Sequence, residues 1–550
     1  MPDEDPKALP TTTTSPRILR VGPSEEFATL ESAVAACTAG GEEIHIVPGE
    51  YQLERPLTIK RDLTLRRVPE SEGRVQLVHV GTPVVVSSGR ITMVDLCWKQ
   101  RVTSEYDEEP LIDQKGGSLE LRGCELEARG GACVLSQGLD PQEMEAAKKR
   151  AKDGWVLSGT PVPDAPTLVL AGCRWSSKRG PGVRIEWGAR GRIEECEVGK
   201  CAHNAIHLLH AKDVSIQANT VRDAGGAGIF LYGGPTGGDA GYAVEGNTVE
   251  RCGGAGIEVT RECEPTVKTN TMRDGNGQGL LVRGQSRGVY EENEASGHRL
   301  ANVEVTDGAH VELRRNTVSG GKHVGLLFRM LSTGKVEEND VRPGPRPGVE
   351  VRGGAAPELT RNRVRGGGHI GILVRCGGRG IYSENEVEGT ALAGIHVHKR
   401  AEVSLVRNRV HGGLARGIWV ESDARAELEG NVVSGNAVDA PAREPKKRLS
   451  QTWGQWARKV GWLALVGLTE NMEDDPEEVY PEGYDAYAAP DYRGDFDGFG
   501  GEVVYDEPMV AEASGSTRAL DAAAEAAPTA VELQVVEEKS APASKPVVCE

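Results

Sequence analysis

The sequence predicts an all-β fold, a right-handed parallel β-helix with coils of about 23 residues. Two residue columns and one alternation predict it. Asparagine recurs every 23 residues at Asn247, Asn270, Asn293, Asn316, Asn339, Asn362, Asn385, Asn408 and Asn431. Glycine keeps the same spacing at Gly256, Gly279, Gly325, Gly348, Gly371, Gly394 and Gly417. The apolar segments beside both columns alternate with period two, as strands do, and parallel strands joined by crossovers wind right-handed in nearly all proteins.

The asparagine column is predicted to be structural. Leu359 lies three residues before Asn362 and Val364 two residues after it, and other coils repeat this pattern, so these apolar residues should stack inward. Asparagines stacked at a bend can hydrogen-bond amide to amide between coils. The same position upstream holds what we call the cysteine column, which is followed by Asn219 and consists of Cys124, Cys173 and Cys196. We expect these cysteines to be buried core residues.

The glycine column has one gap, at Asn302. Asparagine is, after glycine, the residue that best tolerates a left-handed backbone. The column therefore predicts a left-handed residue at this position of each coil.

Composition divides the chain into a β-helix with tails. We expect a disordered N-terminal tail at 1–17 and the β-helix at 18–436, with an insertion at 138–166. A basic linker and amphipathic helix should occupy 437–470, and a disordered acidic tail 471–550. The last 80 residues hold 20 acidic and 4 basic side chains, so most of the net charge of −18 lies there and the β-helix is almost neutral. No nucleic-acid partner is expected from this balance.

Cysteine usage and the absence of a leader favour a cytoplasmic, reduced protein. Residues 1–16 are acidic and rich in proline and threonine, and no apolar run is long enough to span a membrane. The 11 cysteines form no C-x-x-C pair, so a zinc site of that type is not expected. The sequence indicates no cofactor and leaves the oligomeric state open.

Both ends of the β-helix need a cap, because a terminal coil exposes unpaired strand edges. Ser24 is the predicted N-cap of a helix whose apolar positions are Phe27, Leu30, Val34 and Cys37. At the other end a basic segment precedes a helix face that carries Trp453, Trp456 and Leu463. This second helix is either a cap or, through 443–468, a contact with a partner or a membrane surface.

The segment FATLESAVAACTAGGEEIHIVPGEYQLERPLTIKRDLTL resembles the opening of pectin-lyase-like right-handed parallel β-helix proteins. The 23-residue N-x-V and G-I-x-V coils resemble the repeats of that superfamily, and the likeness covers roughly 18–436. Such repeats also occur in F-box β-helix proteins and in periplasmic copper-enzyme maturation proteins. The resemblance implies the fold but leaves the function open, since the superfamily includes lyases, hydrolases, epimerases and non-catalytic binders.

Candidate ligand-binding residues lie at the two outward positions of the G-I-x-V-x segment. They are His207, Phe230, Tyr232, Arg283, Arg329, Arg352, Arg375, His396, His398 and Trp419. The arginines at one-coil spacing indicate either a solvated face with local ion pairs or a stripe that binds anions or glycans. The aromatic residues at 207–232 lie between two insertions and indicate a cleft for a sugar ring or a peptide. A metal site is not expected, because among His203, His207 and His210 only His207 should point onto this face.

No catalytic residue is predicted. The only Asp-Asp pair, Asp474 and Asp475, lies in the acidic tail, and Gly368-His369-Ile370 lacks the second glycine of the G-H-G motif in polygalacturonase-like hydrolases. The first hypothesis is a non-catalytic scaffold or recognition protein that binds a protein, a polyanion or a glycan along the outward face. The alternative is a carbohydrate-active enzyme, a polysaccharide lyase or an epimerase, with its cleft near 207–232.

Overall fold

A computed structural model describes residues 16–102, 108–139, 165–234 and 241–439, with the main chain of 442–444 and 547–549. Most of the 138–166 insertion, the predicted helix with Trp453, Trp456 and Leu463, and nearly all of the acidic tail lie outside these residues, so the predictions made for them stay predictions.

Three sheets, each built by stacking one strand from every coil, form the described part of the chain. The first sheet contains Ile18–Val21, Glu42–Ile46, Leu63–Arg67, Arg90–Val94, Ser118–Arg122, Thr167–Ala171, Arg190–Glu194, Val214–Gln217, Tyr242–Glu245, Thr266–Lys268, Val289–Glu291, His310–Arg314, Thr333–Glu337, Ala356–Thr360, Arg379–Ser383, Glu402–Val406 and Arg425–Glu429. Its neighbouring strands pair in parallel, for example Leu313 with Val336 and Val336 with Leu359.

The second sheet carries the asparagine column at its edge. It contains Gly49–Gln52, Val75–Val80, Leu96–Arg101, Glu125–Ala128, Arg174–Ser177, Glu197–Cys201, Thr220–Arg222, Thr248–Glu250, Thr271–Arg273, Glu294–Ser296, Thr317–Gly320, Asp340–Pro343, Arg363–Arg365, Glu386–Glu388, Arg409–His411, Asn431–Ser434 and Val547–Cys549. The last of these pairs antiparallel with Asn431–Ser434, whereas the other pairings are parallel.

The third sheet carries the G-I-x-V segments. It contains Leu57–Ile59, Val84–Val86, Ile112–Gln114, Val134–Gln137, Val183–Glu186, Ile206–Leu209, Ile229–Tyr232, Ile257–Thr260, Leu280–Val282, Val303–Val305, Leu326–Phe328, Val349–Val351, Ile372–Val374, Ile395–Val397, Ile418–Glu421 and Ala442–Glu444. With about 17 coils at roughly 4.8 Å each, the stack is roughly 80 Å long. The predicted parallel β-helix is confirmed.

One apolar core runs along the inside of the three sheets. Leu359, Val364 and Ile372 come from the three strands of one coil, and all three are fully buried. Large aromatic residues such as Tyr290 and Tyr382 are also buried in it. The inward direction predicted from the period-two pattern is confirmed.

The asparagine column forms the predicted ladder. The Nδ2 atom of Asn339 donates to the Oδ1 atom of Asn362 at 2.9 Å and to the carbonyl of Leu313 at 3.0 Å. The cysteine column continues it, since the N–H of Cys196 donates to Oδ1 of Asn219 at 2.9 Å and all three cysteines are buried free thiols. Both columns therefore hold the same bend in successive coils.

The glycine column is not left-handed, and that prediction was wrong. The φ of Gly348 lies outside the left-handed region, and a Cβ there would be 2.6 Å from Val364 Cγ1 and 2.8 Å from the carbonyl oxygen of Gly371. Glycine is thus required by the close approach of the next coil. Asn302 occupies the gap in the column, and its Nδ2 donates to the carbonyls of Ser319 and Gly320, both at 3.1 Å.

Left-handed backbone falls instead on the residue before each asparagine. In six successive coils these residues, which we call the bend column, are Glu292, Arg315, Glu338, Arg361, Glu384 and Arg407, with φ between 51° and 57°. Acid and base alternate, and the exposed side chains pair between coils: Arg361 Nε lies 3.2 Å from Glu338, and Arg407 Nη2 2.8 Å from Glu384. These ion pairs partly offset the strain of a residue with a side chain in the left-handed conformation.

The N-terminal helix is shorter than predicted. It spans Leu30–Ala36, and its N-cap is Thr29, whose side chain accepts from the N–H of Ser32, rather than Ser24. Phe27 instead forms a parallel bridge with Val21. Between Val21 and Phe27 the chain forms a turn, in which the N–H of Gly22 donates to the carbonyl of Phe27 at 2.9 Å, and the helix begins only after Thr29.

Candidate functional site

The predicted ligand-binding residues share one surface, the outer face of the third sheet. The first outward column is in register from coil to coil, with Phe230 paired to Glu258 and His396 paired to Trp419. The second column runs beside it at the ends of the same strands. The structure therefore brings all ten predicted residues onto one face, in three successive regions.

The middle region is an ion-pair stripe, which consists of Glu258, Glu304, Glu350, Arg283, Arg329, Arg352 and Arg375. Each glutamate of the first column accepts from the arginine that is 25 residues later, on the next coil. The Nε–Oε1 distances are 2.9 Å for Arg283–Glu258, 2.6 Å for Arg329–Glu304 and 2.8 Å for Arg375–Glu350. Arg352 Nε also lies 3.7 Å from Oε1 of Glu350.

The stripe is mostly buried, which corrects the expectation of a solvated face. Only 1% of Glu304 and 3% of Glu350 is exposed. Gln278 donates to Oε2 of Glu304 at 2.8 Å, so both oxygens of this carboxylate have partners. Burial raises the pKa of Glu258, and Arg283 opposes this effect. The local ion pairs that the sequence suggested are present, in a drier setting than expected.

The stripe has a period of two coils. Glu258, Glu304 and Glu350 are 46 residues apart, and the intervening first-column positions are Leu281, Leu327 and Leu373, all buried. Glu304 and Glu350 thus each lie between two leucines, and Glu258 lies between Phe230 and Leu281. These apolar neighbours exclude water and strengthen the ion pairs.

The N-terminal region is an aromatic patch made of Trp187, His207, His210, Phe230 and Tyr232. Trp187 stacks on His210 at 5.0 Å between ring centroids, and His210 meets the edge of Tyr232 at 5.4 Å. Phe230 lies 4.9 Å from His207 and 6.2 Å from Tyr232. Trp187, His210, Phe230 and Tyr232 are half-buried, so their rings remain partly open to solvent.

Charged groups border the aromatic patch. The guanidinium of Arg261 lies 5.8 Å from the centroid of Tyr232, and Arg184 forms an ion pair with the buried Glu186. Burial raises the pKa of Glu186, with Arg184 opposing it. Burial lowers the pKa of His207 to about 3, so this imidazole is neutral at neutral pH. The patch therefore combines ring faces with a carboxyl group that holds a proton more readily than usual.

The C-terminal region is a histidine cluster of His396, His398 and Glu421, beside Trp419. His396 stacks on Trp419 at 4.2 Å with 4° between the planes, and on His398 at 4.5 Å with 11°. The Nε2 atom of His396 lies 3.1 Å from Oε1 of Glu421. Burial, and then the charges of neighbouring groups, lower the pKa of His398 to about 2.

Among the residues that the structure describes, the histidine cluster is the set of His, Cys and acidic side chains close enough to share a metal ion. One ligand atom from each member lies within 4.8 Å of the others. The sequence analysis assigned the two histidines to ligand binding but missed Glu421 as their partner. The signal was available, because His396 and Glu421 stand where the 46-residue pattern would place the next glutamate and arginine.

A shallow recess of about 550 Å³ lies on another face, over the first sheet. Its lining includes Tyr242, Glu264, Arg287, His310 and Glu312. Its acidic and basic groups are mixed, and the sequence patterns did not predict it.

No helix in the described residues is both long and apolar enough to cross a bilayer. The segment 443–468, suggested for membrane or partner contact, lies almost wholly outside those residues.

Family comparison gives one match. The family described as right handed beta helix region matches residues 152–293, 204–354, 256–409 and 347–440, which together span a little over half of the 550 residues. No curated protein sequence matches the chain significantly.

Solved structures that resemble the chain include the following three. The periplasmic alginate epimerase AlgG is 12% identical, with a TM-score of 0.32, over 72% of this chain and 77% of its own. The catalytic domain of a GH87 alpha-1,3-glucanase in complex with tetrasaccharides is 12% identical, with a TM-score of 0.35, over 79% of this chain and 71% of its own. The A-module of the Azotobacter vinelandii mannuronan C-5 epimerase AlgE6 is 12% identical, with a TM-score of 0.27, over 76% of this chain and 93% of its own.

Proposed function

Because the chain belongs to the right-handed β-helix family, its coils present one long repetitive face, and we propose that this face recognises a glycan. The protein acts as a binding protein in this proposal. The saccharide lies along the outer face of the third sheet and stacks a sugar ring on the aromatic patch.

The aromatic patch is the observation that carries the proposal. Only 4% of the residues are aromatic, and the solenoid core is filled mainly by aliphatic side chains. Trp187, Phe230 and Tyr232 nevertheless lie on the outside and are half-buried. Phe230 lies beside Tyr232, and Trp187 stacks on His210, which contacts Tyr232 in turn. Aromatic faces supply contact area at a low cost in side-chain entropy, and ligand sites combine such faces with a few polar groups. Arg261 and Arg184 provide those groups here.

The ion-pair stripe favours an acidic glycan. It places guanidinium groups on successive coils of the face that carries the patch, and guanidinium recognises carboxylates through paired hydrogen bonds. The carboxylates of a uronate chain would replace partners that Arg352 and Arg375 have in the free protein. A repetitive polymer suits a repetitive face.

The test is titration calorimetry of the full-length protein with uronate oligosaccharides and with neutral oligosaccharides of equal length. Phe230→Ala and Tyr232→Ala should each weaken binding of the preferred sugar about tenfold, which corresponds to about 1.4 kcal/mol. Ile381→Ala is the matched control, since it removes an exposed apolar side chain from the first sheet, and it should bind normally. Unchanged affinity in both patch variants, or no saccharide binding by the wild type, would refute the proposal.

A second candidate function is a carbohydrate-active enzyme of the lyase or epimerase type. The observation that favours it is the buried Glu186, whose pKa is raised by burial, beside Arg184 and the neutral His207, because a carboxyl group with a raised pKa is a candidate for proton transfer. In such an enzyme the arginine would neutralise the uronate while a base removes the adjacent proton. Lyase action would create an absorbing unsaturated product and epimerase action would change the sugar's NMR spectrum, and Glu186→Gln should abolish either. Wild-type protein that binds without changing the sugar would exclude this candidate.

A further inference from the structure

We propose that His396, His398 and Glu421 bind a divalent transition-metal ion at the C-terminal end of the third sheet. Zinc is the metal that best fits the two imidazole nitrogens and one carboxylate oxygen. The site is independent of the proposed glycan binding, because it uses residues several coils away from the aromatic patch.

Strand geometry brings the three ligands together. His396 lies on the strand Ile395–Val397, and His398 directly follows that strand. Their imidazoles stack 4.5 Å apart on the outer face, whereas Val397 between them is buried in the core. The next coil places Trp419 beside His396 and Glu421 in the adjoining column. The sequence His396-Val397-His398, with Glu421 23 residues after His398, therefore forms one cluster when the two coils stack.

The geometry is close to that of a metal site. The three potential ligand atoms lie within 4.8 Å of one another, and His396 Nε2 is already 3.1 Å from Glu421. Ligand atoms at about 2.0–2.2 Å from a tetrahedral ion are about 3.3–3.6 Å apart, so small side-chain rotations complete the site. Stacking between Trp419 and His398 holds the imidazole of His396 in one orientation.

The local charge also distinguishes this coil from the stripe. Upstream, each first-column glutamate meets an arginine, but here a histidine takes the glutamate position and the carboxylate of Glu421 takes the arginine position. The nearest arginine of the second column, Arg375, pairs with Glu350 at 2.8 Å. A cation shared by Glu421 and the two imidazoles would neutralise the carboxylate as arginine does in the other coils.

Three protein ligands leave a fourth tetrahedral position for water or another ligand. The site faces outward on the sheet, and Trp419 and Glu421 are on the strand next to last in the third sheet. Three protein ligands are typical of a metal centre with one exchangeable position, whereas in a closed structural site the protein supplies all four ligands.

The experiment is metal binding by untagged full-length protein. After dialysis against chelator, wild type should bind one equivalent of zinc, and cobalt should give the visible absorption of a tetrahedral site. His398→Gln and Glu421→Gln should each weaken binding at least tenfold. His411→Gln is the matched control, because it removes a histidine that faces a single carboxylate, Glu386, at 3.4 Å.

Circular dichroism and melting of the metal-free variants separate lost ligands from lost folding. Added zinc should raise the melting temperature of wild type and of the control variant, and leave that of His398→Gln unchanged. Failure of wild type to bind zinc or cobalt, or binding by both ligand variants that is as tight as that of wild type, would overturn the proposal. Neither result would alter the glycan titration, which tests a different region.

Discussion

Replacing Asn339 with leucine tests the asparagine column in the middle of the stack. The asparagine side chain makes four hydrogen bonds: it donates to Asn362 and to the carbonyl of Leu313, and it accepts from the main-chain and side-chain nitrogens of Asn316. Leucine has the same branched shape but makes none of these bonds, so the change removes hydrogen bonding with little change in size.

The magnitude follows from the groups left behind. The buried N–H of Asn316 loses its acceptor, which costs about 1–3 kcal/mol, and the remaining ladder bonds contribute about 1 kcal/mol each. Burying the apolar side chain returns about 1–2 kcal/mol. We therefore expect the free energy of unfolding to fall by roughly 2–5 kcal/mol.

Denaturant unfolding followed by circular dichroism measures this loss, and hydrogen exchange locates it. In a solenoid each coil contacts only its neighbours, so exchange should accelerate in the coils beside residue 339. Asn276→Leu is the control, because Asn276 is exposed and outside the column, and it should unfold as wild type does. Equal midpoints for Asn339→Leu and wild type would refute a structural ladder.

Three further predictions address other parts of the molecule. The cysteine column should be fully alkylated after unfolding without reductant, and a disulfide between its members would contradict the expected reducing compartment. Glu350→Gln should lower the free energy of unfolding by about 3–5 kcal/mol, since the buried carboxylate of Glu350 pairs with two half-buried guanidinium groups, those of Arg352 and Arg375. Glu384→Gln, at an exposed pair, should cost at most about 1 kcal/mol. Equal effects would contradict the burial of the stripe. His207 stays neutral in the folded protein down to about pH 3, whereas in the unfolded chain it is protonated below about pH 6.5. The free energy of unfolding should therefore fall as the pH is lowered from about 6.5 to about 3, because only the unfolded state binds this proton. His207→Gln should flatten that part of the pH–stability curve, and an identical curve would contradict the prediction.

The coil could be predicted from sequence because every contact that defines it recurs at one spacing. Asn362, Val364 and Ile372 each have an equivalent 23 residues away, so position in the repeat determines direction. The outward columns followed from the same periodicity. Contacts between long side chains on neighbouring coils could not be predicted from the periodicity. The burial of Glu304 beneath Arg329 is the clearest case.

Two local features were misjudged for related reasons. Left-handed backbone was expected at a glycine position, but it occurs at Glu338 and its equivalents, where charged residues give no conformational signal of their own. Gly348 is needed because a Cβ there would clash with Gly371 on the next coil, and this contact is seen only when the coils are stacked. Likewise, Glu421 becomes a partner of His396 only when successive coils are stacked.

The two-coil period restricts how this rod can change in length. The core repeats every coil, so a deletion of 339–361 would leave the aliphatic interior continuous. It would also set Glu338 beside Glu384 in the bend column and remove Glu350 from under Arg375. Removing 339–384 instead would place Glu338 next to Arg407 and keep opposite charges together. The charge pattern is therefore preserved when coils are gained or lost in even numbers. A pair of coils, rather than a single coil, is the unit by which the length of the stack can vary.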